Sequence, residues 1–408
     1  MTIKRSAVFS ILLHAGVLAI AIPGIGIASA SLAEAHGYQV IHNFTGGSDG
    51  GTPPYTLVQD RKGRFIGTAN QGGQNNAGVV FRMEHRKAGW QVAPLYNFTG
   101  TDGQPGWGVT LFKGSIYTNA LYAGVFGGPC GSALQLTRSQ GAWQSVLMRT
   151  YTKDEDGCPT GNLVPDRAGN VYGVTQGGGP NGWGAAFELS PSGSSWTETI
   201  LYGFQGGSDG GLPYSGLVFD RSGNLYGTAT ARGGSGCGQG CGTVFELSPS
   251  QSGWTYSVLY TFKGGSDGGQ PVAGVVFDRK GNLYGAAESF GANGGGTVFE
   301  LSPAQGSWTF NLLASMTGDA GPVASLTIDS SGTIYGTNYR DGAGGYGSVF
   351  QVKQSGGKWT YKDLHDFTGG SDGGYPGGGV TLDARGNAYG TAVVGGADNF
   401  GVIYEIAE

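Results

Sequence analysis

Charge is the first thing this sequence is short of. Asp, Glu, Lys and Arg make up 12% of its 408 residues, about half the share of an ordinary soluble domain. The 23 Lys and Arg residues are scattered, and the formal net charge is −5. A nucleic-acid interface needs clustered positive charge to displace counterions from phosphate, so that class is excluded. Histidine is scarce as well: there are five, and no pair has zinc-ligand spacing. Amphipathic helical periods are missing, which excludes helical repeats and bundles. No strict Gly-X-Y period exists, which excludes collagen.

Long apolar runs are absent beyond one near the start. Lys4 and Arg5 precede residues 7–22, which are apolar except for Ser10, His14 and Gly16. A-x-A sites follow at residues 28–30 and 33–35. This pattern is that of an export signal over residues 1–35, cleaved after Ala35. An uncleaved membrane anchor is the alternative, and no later stretch is apolar enough to span a bilayer. The expected location of the mature chain is secreted or periplasmic. Its four cysteines would then sit in an oxidising compartment.

What is abundant is glycine, 83 of 408 residues, roughly three times the usual share. Gly-Gly-Ser-Asp-Gly-Gly occurs at residues 46–51, 206–211, 264–269 and 369–374, with degenerate copies between. The repeated aspartates are Asp49, Asp102, Asp156, Asp209, Asp267, Asp319 and Asp372. Their spacing is 52 to 58 residues, so seven units fill residues 36–408. Each unit has four apolar runs separated by turn chemistry. In the fourth unit these are residues 216–220 (GLVFD), 224–230 (NLYGTAT), 242–248 (GTVFELS) and 254–262 (WTYSVLYTF). Such runs are strands, and four antiparallel strands per unit make a β-propeller blade. The expected fold is therefore all-β, one seven-bladed propeller domain. Residues 38–44 match the fourth strand of a unit, whereas residues 401–407 match the third. The N-terminal strand is thus expected to complete the last blade and close the ring, removing two sheet edges.

The loop F-x-G-G-S-D-G-G-x-P (residues 204–213), the hairpin D-x-x-G-N-L-Y-G-T (220–228) and the strand G-T-V-F-E-L-S (242–248) resemble the Gloeobacter/Verrucomicrobium tandem repeat family. The resemblance covers essentially all of the mature chain. It implies an exported bacterial repeat protein and implies no activity or catalytic residues. Many family members carry a C-terminal sorting or anchoring segment; this chain stops at a strand, which departs from that pattern.

Blade topology places the fourth-to-first and second-to-third loops on one face, where propeller ligands usually sit. The intact-loop aspartates Asp49, Asp209, Asp267 and Asp372 suggest calcium, because hard cations want carboxylate and carbonyl oxygens. The competing reading is a turn former that bonds its own backbone; no other cofactor is expected. The aspartates of the first hairpin, such as Asp220 and Asp278, read as loop caps on the opposite face. The G-x-S-x-G match inside the glycine loop lacks the following helix and the histidine base of a hydrolase elbow. His42 and His365 share a fourth-strand position with Tyr96, Tyr202 and Tyr260, read as packing. Cys237 and Cys241 share one loop, and Cys130 and Cys158 fall in loops of one face. Two structural disulfides are expected, free or metal-holding thiols being the alternative.

A site should lie where units depart from the repeat, because the repeated residues serve the fold. On the ligand face the departures are Trp107, Tyr122, Lys153, Asp154, Glu155, Trp183, Arg232 and Arg340, with Glu288 and Asp341 beside them. Exposed aromatics with carboxylates suit a sugar or a peptide. The leading expectation is a monomeric, non-catalytic exported binding propeller whose partner is an extracellular glycan or protein. An extracellular polysaccharide lyase or hydrolase using the carboxylate cluster Asp154, Glu155 and Asp156 is the rival, and a structural envelope protein is the third reading.

Overall fold

The computed structural model describes residues 37–122, 129–318 and 320–408. The expected export signal over residues 1–35 and Asp319 lie outside the described residues. Strands form seven antiparallel sheets, and in six of them the strands run inner to outer in chain sequence. Blade five is typical: Val276–Phe277, Leu283–Ala287, Thr297–Ala304 and Ser307–Ser315. In blades four and six the innermost strand is split, as in Gly211–Pro213 and Val218–Phe219. No helix among the described residues is long and apolar enough to cross a membrane.

Closure is as the offset termini require. Gly37–Asn43 pairs antiparallel with Val402–Ala407, from Gly37 opposite Ala407 to Asn43 opposite Val402. It is the outer strand of blade seven, whose inner strands are Thr381–Leu382 and Ala388–Ala392. Tyr38 stacks on His365 of blade six at 3.7 Å between ring centroids. The same contact joins Tyr202 to Tyr256 at 3.9 Å and Tyr260 to Phe310 at 4.3 Å. The joint at blade seven therefore has the same chemistry as those between chain-continuous blades.

The repeated residues build the core between blades. The second-strand glycine faces a third-strand ring, as Gly227 faces Phe245 and Gly67 faces Phe81. A Cβ on Gly227 would lie 2.6 Å from the Phe245 ring, so the ring can lie flat on its neighbour only over glycine. Blade two changes both partners together: Thr118 stands opposite Leu134. Blade two shifts register a second time beside Cys130, but every third-to-fourth-strand pairing shifts at one common place, leaving one extra residue on the outer strand. That residue is always apolar (Leu201, Leu259 or Leu313, for example), and a bulge of this kind re-aims the side chains beyond it.

Candidate functional site

All seven blades contribute to one cavity of about 740 Å³ at the mouth of the central channel. It lies on the face of the fourth-to-first and second-to-third connections, as topology requires. Two positions of the repeat supply much of its lining. The first is the pair of residues after the proline that opens each blade. Here blades one, two and four carry Tyr55, Trp107 and Tyr214, whereas blades five to seven carry smaller residues such as Val272, Ala324 and Gly378. The cavity is therefore asymmetric, with rings on one side and space on the other. Trp107 lies 5.5 Å from Tyr55 and 4.9 Å from Tyr214, edge-on to the latter. Its indole N–H donates to Pro159 O at 3.1 Å, and Tyr55 donates its hydroxyl to Gly106 O. The rings are held from behind, which limits the entropy a ligand must remove.

The second position follows the alanine-rich end of the second strand. It holds Asn70, Leu121, Gln176, Thr230, Glu288, Tyr339 and Val393, a different residue in every blade. Gln176, Thr230, Glu288 and Tyr339 line the cavity. Two residues earlier in the strand the units converge again: that position is Thr68, Thr228, Thr337 and Thr391 in four blades. Divergence at the lining beside repetition in the strand is what a ligand site on a repeat scaffold looks like. The sequence carries this signal in register, but it is visible only once units are aligned on the strand glycine. Departures collected loop by loop do not reveal it.

Glu288 is the single charged residue lining the cavity among the described residues. Burial alone pushes its carboxyl above the ordinary carboxylate range. Its side chain has no hydrogen-bond or ion-pair partner among the described residues. Tyr214 is pushed up as well, by burial first and by the Glu288 charge second.

Of the other expected site residues, none lines this cavity. Lys153, Asp154 and Glu155 are exposed on the loop entering blade three, and Tyr122 is half-buried where the second strand of blade two ends. Trp183 lies under Gly206 of the next loop, with the Arg232 guanidinium 3.8 Å over its ring. Phe400 occupies the same place under Gly46, and Tyr346 under Gly369. Trp183 thus props a loop. Arg340 is exposed at the rim, 5.8 Å from the rings of Tyr339 and Tyr375.

The loop aspartates bind their own loops. Asp209 accepts from the backbone N–H groups of Gln205 at 2.7 Å and Gly207 at 3.0 Å, and from Tyr202 Oη at 2.9 Å. Asp267 repeats this with Lys263, Gly265 and Tyr260. In Asp49 and Asp372 the ring donor is His42 at 3.0 Å and His365 at 3.1 Å. The fourth-strand position read as packing is therefore also the donor that staples the loop. Among the described residues no three His, Cys, Asp or Glu side chains converge as metal ligands.

Cys130 and Cys158 are bonded, with Cα atoms 5.5 Å apart, as are Cys237 and Cys241 at 5.1 Å. The sulfurs of the second pair lie under Gly264, where Trp183 and Phe400 lie under their own loops. A disulfide stands in for a ring.

A larger groove of about 1170 Å³ lies on the opposite face, against blades four to six. Its lining repeats from blade to blade: Asp220, Asp278 and Asp329, then Trp308 and Trp359. Those aspartates cap their own hairpins, as Asp220 does for the N–H groups of Ser222 and Asn224. Residues that recur in nearly every unit for the fold's sake make this groove, so the smaller cavity is the candidate site.

Among solved structures, the chain is similar to a candidate 6-phosphogluconolactonase of Bacteroides uniformis. That match has 13% identity and a TM-score of 0.50, covering 76% of this chain and 84% of the other. A counterpart from Bacteroides fragilis matches at 14% identity and a TM-score of 0.50, covering 76% and 83%. At such identity the likeness concerns the fold alone. No curated protein matches the chain. The Gloeobacter/Verrucomicrobia repeat model matches residues 29–240 and 237–408, and the chain belongs to that repeat family.

Proposed function

We propose that this protein is an exported glycan-binding propeller whose ligand seats in the channel-mouth cavity. The observation that carries the reading is the lining: Tyr55, Trp107, Tyr214 and Tyr339 with Asn162, Gln176 and Thr230 in one bowl. Rings that stack on sugar faces, with a few amides and hydroxyls to fix orientation, are the ordinary composition of a small-molecule site. A peptide binding by strand addition needs a free sheet edge. In five blades the innermost strand comes down to two-residue stretches, as in Val58–Gln59 and Val276–Phe277, and the longer ones of blades two and three, Gln104–Phe112 and Cys158–Pro165, are broken by register shifts, which leaves little continuous edge to template one. A two-carboxylate hydrolase needs acids roughly 5–10 Å apart, whereas the cavity lining holds Glu288 alone among the described residues. Export is supported by the N-terminal signal pattern and by the two disulfides.

The test is a glycan array probed with the purified mature protein, with hits measured by calorimetry. Trp107→Ala should weaken a genuine hit at least tenfold, while Trp183→Ala should leave it within about twofold once folding is verified. A hit insensitive to Trp107→Ala would place the ligand elsewhere and overturn the reading.

A further inference from the structure

We infer that the ligand presents a positively charged nitrogen, as an unacetylated amino sugar does, and that Glu288 supplies its counter-charge within the aromatic wall. This inference rests on the glycan-binding reading and narrows the class of glycan.

The argument begins with the register position of Glu288. It follows Ala286-Ala287 in the second strand of blade five, the place where blades three to six each turn a different residue to the cavity. Of the seven residues at that position, only Glu288 carries a charge. The fold does not use it. Its side chain joins no hydrogen bond or ion pair among the described residues, unlike the loop aspartates, which are saturated by protein donors. Burying an acid with no partner is unfavourable, so a fold-making residue would not be a carboxylate there.

The surroundings choose the sign of the ligand. Among the described residues no Lys or Arg lines the cavity. Arg232, two residues past Thr230, lies over the Trp183 ring, and Arg340, one past Tyr339, rests near tyrosine rings. An anionic sugar would meet Glu288 with nothing to offset it, and the hydroxyls of a neutral sugar would hydrogen-bond the carboxylate without supplying a counter-charge. An ammonium group satisfies it, and it also gains from the electron-rich faces of Tyr55, Trp107, Tyr214 and Tyr339.

The probes are a β-1,4-linked glucosamine tetramer and its fully N-acetylated counterpart, which differ in the charge and acetylation of one nitrogen per sugar. Titration calorimetry at pH 6 should show the amine form binding at least tenfold more tightly to the wild-type protein. Glu288→Gln, which keeps the side-chain shape, should bring the two within about twofold. Equal wild-type affinities for the two oligomers refute the inference and leave glycan binding standing. A preference that survives Glu288→Gln also refutes it, by assigning the charge reading to another group. Binding of neither oligomer, nor of any array glycan, removes the glycan reading and this inference together. Should Glu288→Gln fail to fold, the wild-type comparison alone still decides.

Discussion

The closing strand offers a matched pair of sites at which the architecture can be weighed. Phe44 and Phe204 occupy the same place after the outer strand, and both are fully buried. Each ring lies 5.3 Å from a third-strand phenylalanine, Phe81 or Phe245. Each backbone N–H donates to a glycine carbonyl, Gly401 at 3.0 Å or Gly184 at 2.9 Å. Truncating a buried Phe to Ala removes transfer energy and leaves a cavity, about 3–5 kcal/mol in all. The two sites differ in how their strands are held. Phe204 belongs to a blade continuous in chain, whereas Phe44 follows a strand that blade seven holds by non-covalent pairing alone. If Gly37–Asn43 unfolds only with the ring, Phe44→Ala and Phe204→Ala should cost the same to within about 0.5 kcal/mol. If the strand opens locally, the cost of Phe44→Ala is capped by that local opening energy. Guanidinium denaturation monitored by tryptophan fluorescence gives both values. Hydrogen exchange over residues 37–43 gives the local one. A Phe44→Ala cost below about 1 kcal/mol beside a Phe204→Ala cost above 3 would refute closure as an integral part of the fold.

Three further outcomes follow from named contacts. Burial holds His42 and His365 below their ordinary value of 6.5 despite the neighbouring aspartates. The unfolded chain therefore binds more protons near that pH, and the neutral-imidazole contribution is full above about 6.5 and lost as pH falls below it. The double variant His42→Tyr/His365→Tyr, which copies Tyr202, should keep more of its neutral-pH stability at pH 5 than the wild type does; identical pH slopes would contradict this. Glu198, Asp341 and Asp363 titrate in both proteins and cancel in the difference. On loop length alone, the Cys130–Cys158 bond should contribute about 3–4 kcal/mol and the Cys237–Cys241 bond about 2 kcal/mol. Paired Cys→Ser variants compared by denaturant midpoint check that order. Gly227→Ala should cost about 1–3 kcal/mol by overpacking, because its Cβ would meet Phe245 at 2.6 Å and Leu217 at 2.9 Å. Adding Phe245→Leu, the solution blade two uses at Thr118 and Leu134, should recover part of that loss in a double-mutant cycle; strict additivity would rule out the ring contact as the cause.

The fold was readable because its determinants recur. Seven copies of one turn and one hairpin reveal blade number, strand order and the offset termini without any tertiary information. The disulfides were readable for the same reason, since blade topology puts residues 130 and 158 on one face. The candidate site resisted the same method because a site consists of what does not recur. A departure from the repeat has two physical origins, and sequence alone does not separate them. Trp183 departs because a loop needs a prop, a need met elsewhere by Phe400, Tyr346 or a pair of cysteines. Trp107 departs because it faces a cavity. What divides the two is whether the altered side chain points toward the neighbouring blade or toward the axis, and strand register fixes that direction. His42 shows the converse case. It looks like a packing residue because tyrosine replaces it, yet the property common to histidine and tyrosine there is a ring that can donate to an aspartate seven residues on. In a repeat protein, then, a substitution that keeps a donor belongs to the scaffold. A position where donor, charge and volume all change from blade to blade and which faces the cavity, as at Thr230, Glu288 and Tyr339, is where the proposed ligand would be read.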